Sequence, residues 1–129
     1  MERISTARYG AITRADSGAH RKSSFSGFEV IFDVSSITIT GTKIIEIGRN
    51  AERDGTPRLW INHNRISRNH AAVTLDDDAL LFIEDLGSTF GTYLDGERIR
   101  PNEKYPIADG DAIQLSDLEA MRVIVRKIR

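Results

Sequence analysis

The sequence contains no cysteine. Disulfides and thiolate metal sites are therefore excluded, and the chain suits a reducing intracellular compartment, nucleus or cytoplasm. His20, His63 and His70 show no metal-ligand spacing, so neither a metal nor another cofactor is expected. No apolar run approaches the roughly 20 residues that span a bilayer, and the N-terminus lacks the apolar core of a secretory signal. No membrane partner is expected. Positive charge is not in excess either: 18 Lys and Arg stand against 19 Asp and Glu, a formal net charge of −1. That balance argues against a direct nucleic-acid binder. The phosphate-loop pattern Gly-x-x-x-x-Gly-Lys-Ser/Thr is also missing, which removes the common nucleotide-binding reading.

What is present suits one domain. The chain has 129 residues, 40% of them hydrophobic and 29% charged, ordinary values for a single globular core. Residues 1–27 are rich in Ser, Thr, Gly, Ala and Arg, carry Arg3, Arg8, Arg14, Arg21 and Lys22 against Glu2 and Asp16, and hold no sustained period. They read as a disordered, Ser/Arg-rich tail. The remainder is acidic on balance, so an anion bound there is held by a few local cations rather than a broad field.

From Phe28 onward the pattern is of short strands separated by turns. Alternation runs through Phe28-Val30-Phe32, Ile37-Ile39 and Met121-Val123-Val125. Further strands are expected at 43–47, 59–61, 71–75, 79–85, 104–107 and 112–115. Asp54-Gly55-Thr56-Pro57 and Asp109-Gly110-Asp111 mark turns, and Asp95-Gly96 between Tyr93-Leu94 and Arg98-Ile99 is a favoured two-residue hairpin turn. Asp76-Asp77-Asp78 lacks the Gly and distal Glu of a calcium loop and reads as a solvated turn. Trp60 reads as a core or sheet-packing residue rather than a ligand platform. No amphipathic helix is evident. An all-β sandwich is expected.

Three segments fall where the alternation breaks off: Ile47-Gly48-Arg49-Asn50, Ile66-Ser67-Arg68-Asn69-His70-Ala71 and Gly87-Ser88-Thr89-Phe90-Gly91-Thr92. Each offers groups that suit a doubly charged anion. Arginine supplies a planar fork of charged donors, Ser and Thr supply hydroxyls, and glycine lets backbone N–H groups approach closely. Three loops at one end of a β scaffold, converging on a phosphate-sized target, are the expected site. Singly, Ser67 and Thr89 could equally cap local turns.

Taken in order, Gly48-Arg49, Ser67 to Ala71, Ser88 to Gly96 and Ile107-x-Asp109-Gly110-Asp111 resemble the forkhead-associated (FHA) domain. The likeness covers roughly residues 28 to 128, and the domain is placed at 28–129. It implies a sandwich of about eleven strands whose loops bind phosphothreonine peptides without catalysis. In this likeness Arg49 contacts phosphate or peptide backbone, and Ser67 holds the phosphate through its hydroxyl and N–H. Thr89 supplies a hydroxyl from the opposite loop, and Arg68 is a further peptide contact. His70 braces the loops, with Gly48 and Gly91 as structural support. One position departs from the family pattern. Phe90 stands where an Asn is usual and can make neither of that amide's hydrogen bonds to peptide backbone, so it meets the peptide through apolar packing or weakens binding.

Arg65 lies two residues before Ser67, which in an extended run places both side chains on one side. It is expected to read an acidic residue three positions after the phosphothreonine. The tail contains that spacing in Thr13-Arg14-Ala15-Asp16, which raises self-association through a phosphorylated tail. Two other functions compete. One is an FHA-fold protein–protein or dimerisation module with weak or no phosphate dependence, because of Phe90. The other is a hydrolase built on Ser67, His70 and Asp85, which the tight Ser-x-x-His spacing and the missing nucleophile elbow disfavour.

Overall fold

The computed structural model describes residues 26–50 and 55–129. The expected disordered tail, with Thr13 and the proposed self-association, lies outside the described residues but for Ser26 and Gly27. Eleven strands follow one another: β1 (Gly27–Phe32), β2 (Ile37–Gly41), β3 (Ile44–Gly48), β4 (Arg58–Trp60), β5 (Ala71–Leu75), β6 (Leu81–Asp85), β7 (Thr92–Leu94), β8 (Glu97–Arg98), β9 (Lys104–Ile107), β10 (Ala112–Leu115) and β11 (Arg122–Ile128). They form a six-stranded sheet in the order β2-β1-β11-β10-β7-β8 and a five-stranded sheet in the order β4-β3-β5-β6-β9. The all-β sandwich is the observed architecture.

Period-2 alternation builds the core between the sheets. Phe28 and Val30 from β1, Ile113 and Leu115 from β10, and Val123 and Val125 from β11 face Ile45 and Ile47 from β3, Val73 from β5, and Leu81 and Ile83 from β6. Each such side chain, fully buried, contributes about 1.5–3 kcal/mol before chain entropy is counted. The expected hairpin at Asp95-Gly96 is present. Both residues take positive φ, 50° and 84°, and Leu94 pairs with Glu97, as a two-residue primed turn requires. The aspartate turn closes on itself, with Asp76 accepting the N–H groups of Asp78 and Leu80.

Strand bounds differ from the sequence reading by a residue or two. β1 stops at Phe32 because Asp33 to Ser36 turn, with Ser36 at φ 60°. β6 starts at Leu81 because Ala79 is in the turn at φ 63°. The larger correction is Trp60. It is not a core residue but 55% exposed. β4 is a three-residue edge strand in which alternation turns Leu59 inward and Trp60 outward.

Register gathers the functional segments at one end. Gly48 pairs with Trp60, Ile47 with Ala71, and Ala71 with Asp85, while Thr92 pairs with Leu115. The C-terminal ends of β3, β4, β6 and β10 therefore meet the N-terminal ends of β5 and β7. After Gly48, Trp60 and Asp85 the chain leaves the sandwich at this end.

Candidate functional site

The loop between β4 and β5 is held against β3 by backbone bonds. Arg49 N–H donates to Ser67 C=O at 2.9 Å and His70 N–H to Ile47 C=O at 2.9 Å. Close approach here depends on Gly48, because a Cβ at that position would collide with the Arg68 carbonyl oxygen and stand 2.6 Å from an Arg58 guanidinium nitrogen. A second tie comes from the Arg49 side chain, whose Nε donates to Ile66 C=O at 2.8 Å. The fork is thereby oriented, and its two terminal nitrogens have no partner among the described residues.

Ser67 joins this loop to the one between β6 and β7. Its hydroxyl oxygen accepts the Thr89 N–H at 3.0 Å, which leaves the hydroxyl proton free to be donated elsewhere. Its own N–H is already spent on His70 Nδ1 at 3.1 Å, so only the hydroxyl of Ser67 is open to a ligand, not both groups the family likeness implies. The backbone N–H of Arg68 has no acceptor among the described residues, and its side chain is exposed. Thr89 is also exposed and lies across from Ser67, its carbonyl accepting Arg98 Nη2 at 3.2 Å.

His70 is fully buried beneath these two loops. Nδ1 accepts from Ser67, so the ring proton sits on Nε2, which donates to Gly91 C=O at 2.8 Å. One neutral imidazole thus bridges both loops. Burial pushes its pKa below the ordinary value, outweighing the Gly91 carbonyl and the Asp85 charge that favour the cation. Gly91 takes φ 89°, and a Cβ there would stand 2.5 Å from Arg98 Nε, so this turn position requires glycine.

Two buried charges outside the expected anion site brace these loops. Arg58 donates to Arg68 C=O at 3.0 Å, Asn69 Oδ1 at 2.8 Å and Glu46 Oε1 at 2.8 Å. Glu46 is its register partner across the parallel β3–β4 pair. Asp85 ends β6 and accepts the hydroxyls of Ser88 and Thr92, both at 2.6 Å, with the N–H groups of Gly87 and Ser88 at 3.0 Å. An Asp followed by Gly and Ser at a strand end is a turn-capping signal that the sequence displays. Arg58 had no such signal.

These bonds also dismantle the hydrolase geometry. The His70 ring meets the Ser67 N–H rather than its Oγ, and the Asp85 carboxylate is taken up by its own loop. Ser67, His70 and Asp85 do not form a proton relay.

Phe90 and Arg65, singled out separately in the sequence, touch. The Arg65 guanidinium carbon lies 4.2 Å from the Phe90 ring centroid, and Nη1 is 3.5 Å from Asp117 Oδ2 in the β10–β11 turn. Arg65 is therefore parked on the rim between an aromatic face and an exposed carboxylate. Trp60 is tied to the chain just past β3, its Nε1 donating to the Arg49 C=O at 2.7 Å.

The FHA domain sequence model matches residues 45–116, more than half of the chain. The chain belongs to the FHA domain family. Among curated relatives it is 32% identical over 77 residues to the uncharacterized protein C3H7.13 of Schizosaccharomyces pombe, covering 57% of this chain and 26% of that one. It is 33% identical over 75 residues to protein FraH of Nostoc, covering 56% and 26%. It is also 33% identical over 78 residues to the probable E3 ubiquitin-protein ligase dma1 of S. pombe, covering 55% and 29%. The match thus spans between a quarter and a third of each relative's length. In fold it resembles the N-terminal FHA domain of S. cerevisiae Rad53p solved with a phosphothreonine peptide, at 24% identity and TM-score 0.63, covering 78% of this chain and 93% of that one. An FHA domain from Arabidopsis thaliana matches at 22% identity and TM-score 0.66, covering 81% and 88%. Among the described residues no helix is long and apolar enough to cross a membrane.

Proposed function

We propose that this FHA domain is a non-catalytic, intracellular module that binds phosphothreonine-containing segments of partner proteins. The observation that carries the reading is the state of Arg49 and Ser67. The Arg49 fork is oriented by Ile66 while its terminal nitrogens have no partner among the described residues, and the Ser67 hydroxyl, which accepts from Thr89, keeps its proton to donate. A phosphothreonine brings about −1.5 to −2 charges and three acceptor oxygens. Two guanidinium donors, one hydroxyl and the Arg68 N–H match that demand, and Thr89 lies within the same ring of loops.

The test is calorimetric titration with paired phosphorylated and unphosphorylated threonine peptides. Binding of the phosphorylated member alone, lost in Arg49→Ala, is the expected result. Equal affinity for both members would sink the reading. It would favour a phosphate-independent interaction module, with the Phe90–Arg65 stack as part of its contact surface.

A further inference from the structure

Four large apolar side chains stand out to solvent among the described residues: Val34, Ile37, Trp60 and Leu118. Val34 lies in the β1–β2 turn, Ile37 opens β2, Trp60 closes β4, and Leu118 lies in the β10–β11 turn. The register puts all of these at the loop end of the sandwich. Exposed apolar residues scattered singly need no explanation. Four gathered at the end that carries the anion cradle do.

Trp60 differs from the other three because it is tethered. Its indole N–H is bonded to the carbonyl of Arg49, the residue whose side chain supplies the cradle's cation. Its register partner is Gly48, so the ring is rooted about 4.8 Å, one strand spacing, from the end of β3. An anchored aromatic offers a large contact area at low entropic cost, which is why such residues dominate binding surfaces.

Resting on the phosphothreonine reading above, we propose that Trp60 is a ligand-contacting, specificity-determining residue. Its ring takes a large apolar side chain of the same peptide whose phosphothreonine occupies the cradle. The two halves of the surface fix the chemistry of the partner. A purely apolar partner would bury the Arg49 fork and the Ser67 hydroxyl unpaired, at a desolvation cost. A purely charged one would leave the indole face unused. An extended peptide advances about 3.3 Å per residue, so the apolar residue lies within about three positions of the phosphothreonine.

Trp60 is the chain's only tryptophan, so intrinsic emission reports on this ring alone. The experiment titrates the protein with phosphothreonine peptides in an alanine background. One leucine is moved across three positions on each side, with unphosphorylated counterparts. One leucine position is expected to bind about tenfold tighter than the alanine peptide and to shift the emission to the blue. Trp60→Ala should collapse the leucine-to-alanine ratio to about one, while Trp60→Phe, which keeps an apolar ring, should retain most of it. Phosphate-dependent binding with no favoured leucine position, or a preference that survives Trp60→Ala, overturns the inference and leaves the proposed function standing. Loss of phosphate dependence overturns both. A fall in solution mass on Trp60→Ala assigns the ring to contact between copies, which also overturns it.

Discussion

Two sets of polar residues share one end of this sandwich, and they differ in where their hydrogen-bonding capacity goes. Arg58, His70 and Asp85 lie buried under the loops. Arg58 donates to three acceptors, His70 uses both ring nitrogens, and Asp85 accepts four bonds. Arg49, Ser67 and Arg68 form the rim above them, where each keeps donors that nothing among the described residues uses. Buried polar groups must be satisfied internally or they destabilise the fold. Rim groups face water and can exchange it for a ligand at small cost. On the proposed function, the buried set holds the cradle and the rim set forms it, though both are charged or polar and lie close in sequence.

Removing a brace should produce the largest effects, and these should be effects on folding. Asp85→Ala strands two buried hydroxyls and two N–H groups at once. A stability loss of about 3–4 kcal/mol is expected in denaturant unfolding, the upper range for single substitutions. Arg58→Ala should cost about 2–3 kcal/mol, less because Glu46, left without its partner, is partly solvated. If either variant melted like the parent while losing peptide binding, the division between brace and rim would be wrong.

Rim variants should show the reverse. Arg49→Ala and Ser67→Ala are each expected to weaken phosphopeptide binding by about 1.5–3 kcal/mol, the range for charge-assisted hydrogen bonds, with the thermal midpoint nearly unchanged. Calorimetry and thermal melts on the same samples make the comparison. Unchanged affinity in either variant would remove that residue from the rim.

His70 offers a test without mutation. Its folded pKa lies below the ordinary 6.5, so at mildly acid pH the unfolded chain binds a proton that the folded chain refuses. Stability from this group is fully present above pH 6.5, falls as pH drops below it, and levels off once pH passes the folded value. Protonation would also turn Nδ1 into a donor facing the Ser67 N–H, so phosphopeptide affinity should fall along with stability. In His70→Ala the midpoint should be lower from the outset, and this pH dependence should be weaker. A His70→Ala variant with native stability and abolished binding would move the imidazole from brace to contact.

The sequence made the frame and the rim readable because both are written locally. Alternation marks strands, Asp95-Gly96 dictates its turn, and Gly48-Arg49 and Ser67-Arg68 sit where alternation stops. The brace was half legible. His70 stood out through its place in the motif, and Asp85 with Gly87 and Ser88 carries a capping pattern. Arg58 was missed and Trp60 misjudged because burial on an edge strand is set by what closes over it. Arg58 is covered by a loop ten residues downstream, while Trp60, two positions along on the same face, stays 55% exposed. Residue type favours the opposite assignment for both.

The smallest expected effect falls on the position where rim and family pattern disagree. Phe90→Asn gives the β6–β7 loop an amide able to bond peptide backbone, and one net hydrogen bond is worth about 0.5–1.5 kcal/mol. The same change removes the ring beneath Arg65, an exposed cation–π contact worth about 0.5–1 kcal/mol. That second term belongs mainly to the free protein. Losing it lowers rim order more than peptide affinity, and Arg65 keeps Asp117 as a partner. Binding to generic phosphothreonine peptides should therefore tighten by about two- to tenfold, with a slight drop in thermal midpoint. Freed from the ring, Arg65 should also gain in preference for an aspartate three positions after the phosphothreonine, measured as the affinity ratio of aspartate to alanine peptides. If Phe90→Asn instead weakens binding, the ring is itself a peptide contact. If Arg65→Ala leaves the aspartate ratio intact in both backgrounds, Arg65 belongs to the surface pair with Asp117 and not to the rim.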